Sequence, residues 1–522
     1  MPRICKLKGC DQRKIDKHTS FWYQQIMRLR VCAILTTTIS LVSSAFAQQL
    51  TGVDVQTIIN RAVTRALQIS PNSVIAVADR EGFVLGVWTI RGGEPTAAEI
   101  ANSVSKAGTA AFLSSNQNAF TSRTAGFIIQ QHFPPGVSNT APGPLVGVGF
   151  SNLPFSDINR FKQFFGVPPP PIGGTSPGVM GFPIPGTSLD GSPGGVPLYK
   201  NGILVGGVGV TGDGSDNSFP FISDYDKDED IALSGQQGYR PSSSITADNV
   251  FINGISLAYV ASPPVAINAA TVSGNASVQF PIQSSPAPFP YPVATFGGVS
   301  GQIRQPITND PLLGPINGQP RLTAAEVTSI IDFAAQRVAI TRAGIRLPIG
   351  IQMQVYITVV NFPNMPGTPP AVLGAFRTGE ATNFSWDVAV QKARTAVGFS
   401  NNGNTVAMST RTVGFLAQSN YPPGIDGNPP GPYNGLQEIL SMPPPNPNFP
   451  NGITIFPGGF PLYRNGQLIG AIGISGDGVD QDDIVGASGT HDFLAPIPIR
   501  ADEFFFKGAR LPYAKFPRDP GL

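Results

Sequence analysis

The chain has 522 residues, enough for two or three domains of ordinary size, and a repeat described below favours two. Charged residues make up only 13%, while 60 Gly and 52 Pro exceed a fifth of the chain; this composition points to folded units joined by irregular segments, not to a charged disordered protein. The formal charge of +2 rests on a basic N-terminus: without residues 1–47 it falls to 26 basic against 30 acidic residues, which argues against nucleic acid as a partner because phosphate binding needs a basic surface.

The N-terminal stretch "MRLRVCAILTTTISLVSSAFAQQ" opens with Arg28 and Arg30, runs through an uncharged apolar segment and closes on Ala45-Phe46-Ala47, the small-x-small pattern of a cleavage site. Residues 1–47 are therefore expected to be a secretory signal with an N-terminal extension. Val31 to Val42 is shorter than the ~20 residues of a membrane span, so no membrane attachment is expected after cleavage. Cys5, Cys10 and Cys32 all precede the cut. The mature chain would then have no thiol, and disulfides, iron–sulfur clusters, thiolate-ligated haem and cysteine zinc sites are excluded. A secreted or periplasmic protein is the expectation.

Next come two similar units. Val55, Ile58, Ile59, Ala62, Val63, Ala66 and Leu67 recur at helical spacing, and Val327, Ile330, Ile331, Ala334, Ala335, Val338 and Ala339 repeat them at a constant offset. Each stripe follows a capping threonine, Thr51 or Thr323, and Glu326 completes a capping box for the second. Strand-like runs follow, "FVLGVWTIRGG" with Arg91 and "AVLGAFRTGE" with Arg377, then the helices "SVSKAGTAAFLS" with Lys106 and "VAVQKARTAVGFS" with Lys392. "TSRTAGFIIQQHFPPG" pairs with "STRTVGFLAQSNYPPG", setting Arg123 opposite Arg411, both read as local to the helix cap. Within each unit the predicted order is helix, two strands, helix, short helix, irregular segment, two strands, terminal helix. The expected boundaries are 48–260 for the first unit, 261–320 for a proline-rich linker, 321–510 for the second unit and 511–522 for a tail. In the linker, "ASVQFPI" and "PYPVATFGG" are candidate edge strands.

Toward the end of each unit stand "PLYKNGILVGGVGVTGDGSD" and "PLYRNGQLIGAIGISGDGVDQDD". The first satisfies G-x-G-x-x-G, but the second is spaced differently and aspartates follow both, where they would repel a phosphate. The aspartates also lack the alternation that aims oxygens at calcium. The reading is a buried strand entered by a tight turn at Asn465-Gly466, its glycines admitting a helix close over the sheet, with the acidic residues at the N-terminus of the last helix. No metal site and no catalytic residue is assigned.

This order of pieces, with "AVADREG", "KAxTA" and "PLYxNGxxxGxxGxxGD" found in series, resembles the GlcG/HbpS-like haem-binding family across most of 50–260 and 321–500. The resemblance implies an α+β fold: two profilin-like domains, each an antiparallel sheet covered by helices, arranged as an internal pseudo-dimer. It also implies haem as cofactor and a tendency to homo-oligomers. The family's aspartate falls on Asp79 in the first unit but on Asn361 in the second, where the hairpin carries an insertion. No axial histidine is shared: His132 is matched by Asn420, and His491 has no partner. Tyr199 and Tyr463 are the repeated phenols able to hold ferric haem, with a tyrosine packed at a strand end as the alternative. Arg91, Lys106, Arg377 and Lys392 are the cations placed near an anionic ligand such as a propionate, with a solvated helix face and a strand-end arginine as the alternative.

The function expected is an exported protein binding a small planar or anionic ligand, haem by resemblance. One alternative is a non-catalytic structural or interaction protein that uses its Pro/Gly-rich inserts. Another is an enzyme acting on a small oxidised metabolite, for which Asp79 would be the general base.

Overall fold

The computed structural model describes residues 48–90, 93–147, 162–163, 182–183, 186–216, 224–268, 277–288, 290–400, 405–440 and 446–515. Residues 1–47, read as a signal segment, Arg91 and most of the first proline-rich insert lie outside the described residues.

In the first half, helix α1 (Gly52–Ile69) begins at Thr51, whose hydroxyl accepts from the Asp54 amide while the Thr51 amide donates to the Asp54 carboxylate. This is a complete capping box built with Asp in place of Glu or Gln, so the expected asymmetry between the two caps is absent. Strands β1 (Val74–Asp79) and β2 (Phe83–Thr89) follow, then α2 (Ala97–Leu113) and α3 (Ser122–Ile128). After the two-residue strands β3 (Lys162–Gln163) and β4 (Phe182–Pro183) come β5 (Gly195–Lys200), β6 (Ile203–Thr211) and α4 (Lys227–Gly235). A short hairpin, β7 (Phe251–Ile252) with β8 (Ile255–Ser256), and strand β9 (Ser277–Phe280) complete this half.

The second half opens with β10 (Val293–Phe296) and β11 (Val299–Gln305), both inside the stretch read as a linker. It continues through α5 (Ala324–Ile340), β12 (Tyr356–Asn361), β13 (Val372–Thr378), α6 (Phe384–Phe399), α7 (Thr410–Leu416) and the single turn α8 (Leu436–Ile439). Strands β14 (Gly459–Arg464) and β15 (Gln467–Ser475), α9 (Val479–Gly489) and the hairpin β16 (Phe505–Phe506) with β17 (Ala509–Arg510) close it. Among the described residues no helix is long and apolar enough to cross a membrane.

The fold is α+β, with one antiparallel-cored sheet in each half. Four central strands run β2-β1-β6-β5 in the first and β13-β12-β15-β14 in the second. The pairing agrees residue for residue: Val74 faces Thr211 and Asp79 faces Gly206, as Tyr356 faces Ser475 and Asn361 faces Gly470. Both candidate edge strands are present, β9 on β2 and β10 on β11.

Strand β1 is buried along its whole length because both faces are covered. Ile75 and Val77 pack with Val55, Ile58 and Ile231 of α1 and α4, whereas Val74 and Ala76 pack with Val104 and Phe112 of α2. A strand buried on two faces reads as a continuous apolar run without alternation, which is why "VIAVAD" and "YITVVN" carry little period. The outer strands β5 and β14 hold Pro197 and Pro461, residues tolerated where no further ladder is needed. The apolar stripes end one residue earlier than read, at Ala66 and Val338: Leu67 is 63% exposed, and Ala339 is exposed too.

The two halves meet along α2 and α6. Phe112 stacks on Phe384 at 6.1 Å, Ser115 Oγ donates to the Arg346 carbonyl at 2.8 Å, and Asn118 Nδ2 donates to the Ile345 carbonyl at 3.1 Å. At another edge Asn139 and Asp426 exchange a pair of 3.0 Å backbone-to-side-chain bonds.

Candidate functional site

The turn at Asn465-Gly466 forms as expected, as does its counterpart at Asn201-Gly202, with φ positive at all four residues. Each turn leads into a glycine-bearing strand, β6 or β15. A Cβ on Gly209 or Gly473 would strike the carbonyl oxygen of Ser103 or Ala389, so these glycines let α2 and α6 lie directly on the sheet. That close approach enclosed the two lysines that the sequence placed near an anionic ligand or on a solvated helix face.

Lys106 and Lys392 have no exposed surface. Lys106 Nζ sits 3.1 Å from both Asp228 and Asp216; Lys392 Nζ donates to Asp482 at 2.8 Å and to the Ile474 carbonyl at 2.7 Å. Gly194 and Gly458 make room for these pairs. Both have φ near +118°, and an added Cβ would lie 2.9 Å from the Cβ of Asp228 or Asp482. Burial raises Asp228 and Asp482 to about 6 each, against the pull of their lysines. Burial lowers Lys392, whereas on Lys106 the same effect is outweighed by Asp228, Asp190 and Asp216, and its pKa rises.

A second pair stands beside each lysine. Arg123 Nε donates to Glu229 at 2.7 Å and Arg411 Nε to Asp483 at 2.9 Å. Arg123 and Arg411 are therefore tethers between the short and terminal helices; capping falls to Thr121 and Ser409, whose side chains accept from Thr124 and Thr412 amides. Asp228-Glu229 and Asp482-Asp483 thus serve one lysine and one arginine each. Sequence reading missed this correspondence because the intervening segment is longer in the first half. The signal was available in the two repeated cations, each of which, once buried, requires an acid.

Tyr199 and Tyr463 occupy equivalent places in the core. Their hydroxyls donate to the Ser115 carbonyl at 2.6 Å and the Ser400 carbonyl at 3.1 Å. Burial pushes both phenols well above their ordinary range, which opposes the tyrosinate that ferric haem requires. Asp79, the base of the enzymatic alternative, accepts from the Glu81 and Phe83 amides at 2.9 Å each. Asn361 does similar work, accepting from Ala371 N at 2.6 Å and donating to Asp310 at 2.8 Å. Both side chains stitch their own hairpin.

Arg377 does hold a carboxylate, but one from the same chain: its Nη1 lies 3.1 Å from Glu81 Oε1, across the junction of the halves, and its Nε donates to the Ala381 carbonyl. Beside it, Arg304 packs against the Tyr291 ring, 3.9 Å from the centroid. Arg304 was not singled out from sequence because it lies in the stretch read as a linker.

A cleft of about 370 Å³ lies between the halves. Its polar wall includes Asp190, Asp216, Glu438, Gln418 and Gln437; Ile129, Val146 and Ile455 supply apolar surface. The two histidines of the described residues lie elsewhere. His132 bridges the halves, with Nδ1 3.1 Å from the Thr140 carbonyl and Nε2 3.2 Å from Asp426. His491 is exposed, stacks on Phe333 at 4.3 Å and sets Nδ1 2.9 Å from Asp492.

Residues 352–491 match the family model described as Haem degrading protein HbpS-like. That match lies in the second half, and no curated protein matches the chain. Similar solved structures include PduOC in complex with heme, 24% identical over 33% of this chain and 94% of that one, with a TM-score of 0.23. Klebsiella pneumoniae ORFY is 22% identical over 34% of this chain and 95% of its own, also at 0.23. A double mutant of Streptomyces reticuli HbpS is 19% identical over 35% and 94%, at 0.23.

Proposed function

We propose that the chain is an exported, non-catalytic binding protein made of two HbpS-like units, with a small planar ligand of the haem kind. The observation that carries this reading is the family match over residues 352–491. The repeated strand order supports extending it to the first half, and the apolar segment ending at Ala47 supports export. The engagement of Asp79 by two backbone amides supports binding over catalysis.

Haem needs an axial donor. His491 lies inside the matched segment, and the Asp492 carboxylate on its Nδ1 is the kind of contact that orients a metal-binding imidazole and raises its basicity. The donor chemistry fits at that exposed ring. The cleft between the halves does not fit, since Asp190, Asp216 and Glu438 would face the propionates. On this reading His491 would hold the iron and Asp492 would fix the ring, while the bound haem would supply a redox-active metal centre. Titrating the mature protein with hemin is expected to give a saturable Soret change that His491→Ala removes. A wild-type titration without saturation would overturn the proposal.

A further inference from the structure

Arg304 and Arg377 stand on the paired strands β11 and β13, and both guanidinium groups meet the first half's hairpin at Glu81. They are nearly enclosed, at 2% and 8% exposure. Arg304 lies over Tyr291, with the Trp386 centroid at 5.0 Å, and Tyr356 is within 5.8 Å of both guanidinium carbons. These rings hold the two planar cations in place without neutralising them.

Glu81 is the acidic group these arginines share. Its carboxylate is 3.1 Å from Arg377 Nη1 and 3.6 Å from Arg304 Nη2, and its side chain is 38% exposed. Arg80 and Glu380 next to it pair with each other and leave that balance unchanged. Two enclosed cations therefore face one carboxylate that is partly in water; neutral oxygens take some of their donors, Asn383 Oδ1 from Arg304 Nη2 at 2.8 Å and the Ala381 carbonyl from Arg377 Nε at 2.7 Å, while Arg304 Nε makes no hydrogen bond among the described residues. A buried guanidinium without full counter-charge is costly, and its forked donors match a carboxylate.

We propose that Arg304 and Arg377 form a carboxylate-binding site filled in cis by Glu81, which accepts a small external carboxylate when Glu81 withdraws. The site is independent of haem binding and shares no residue with the pairing of His491 and Asp492. Because Glu81 is tethered, it competes at an effective concentration of about millimolar or more, so the wild-type site responds only weakly to added carboxylate.

The test compares wild type, Glu81→Gln and Glu81→Asp in thermal unfolding with sodium acetate or succinate, against sodium chloride at matched ionic strength. Glu81→Gln is expected to show a saturable rise in Tm at about tenfold lower carboxylate than wild type. Glu81→Asp, which keeps the charge but draws it back by one methylene, should respond at intermediate concentrations and guards against poor folding of the neutral variant. Adding Arg304→Lys to Glu81→Gln should abolish the rise by removing the fork. Equal melting of Glu81→Gln in carboxylate and chloride, or a full response in the variant that also carries Arg304→Lys, would overturn the proposal.

Discussion

Replacing Lys392 by Met removes the cation that Asp482 faces inside a closed site. Asp482 is 3% exposed, and its Oδ1 already makes no hydrogen bond among the described residues. Removing one partner of such a pair costs about 3–5 kcal/mol, because the remaining charge stays out of water. The loss depends on pH. Burial has raised the folded carboxyl above its ordinary 3.8 to about 6 even with the lysine present. For a group raised on folding, the folded state binds more protons between those values, so this contribution is present below the ordinary value and is lost as pH rises through the folded one. The difference amounts to about 3 kcal/mol. Without Lys392 the carboxyl rises further, and Lys392→Met should lose most at about pH 8 and much less at about pH 5, where Asp482 is protonated. Replacing both partners, Lys392→Met with Asp482→Leu, should return stability to within about 1 kcal/mol of wild type. Urea unfolding of the three proteins at both pH values measures this. A Lys392→Met loss below about 1 kcal/mol at the higher pH, or a double variant as weak as the single, would refute the account of a desolvated pair.

Three further outcomes follow from the same geometry. Tyr463→Phe should cost about 1 kcal/mol through its lost bond to the Ser400 carbonyl, measured by urea unfolding, and should leave any hemin spectrum unchanged. Gly458→Ala should destabilise by about 2 kcal/mol or more by thermal melting, since φ is +118° and the new Cβ would lie 2.7 Å from the Ile474 carbonyl oxygen. Asp477 is raised to about 7 by burial, against the pull of Arg346, so its contribution to stability is present below 3.8 and disappears as pH rises through about 7. Asp477→Asn should flatten that part of a stability–pH profile.

Much of the scaffold could be read directly. The helical stripes of α1 and α5, the threonine caps and the Asn-Gly turns are local features, fixed by backbone preferences within a few residues. Duplication strengthened each reading by giving it twice. The candidate site was less legible. Lys106, Lys392 and Arg377 were read as cations near an anionic ligand, and in the structure each faces a carboxylate of the protein itself. Arg304 escaped notice in the stretch read as a linker, and the acidic residues, read as sitting at the N-terminus of the last helix, were not matched to the lysines and arginines they serve.

By itself the sequence determined the order of elements, the positions of the turns and the glycines that bring helix to sheet, because each depends on nearby chain and on side-chain volume. Only the tertiary structure decided which charges meet. Lys106 reaches Asp228 across 122 residues, Lys392 reaches Asp482 across 90, and Arg377 reaches Glu81 across 296. Coulomb attraction depends on distance in space and on exclusion of water, neither of which is set until both sheets and their helices are packed.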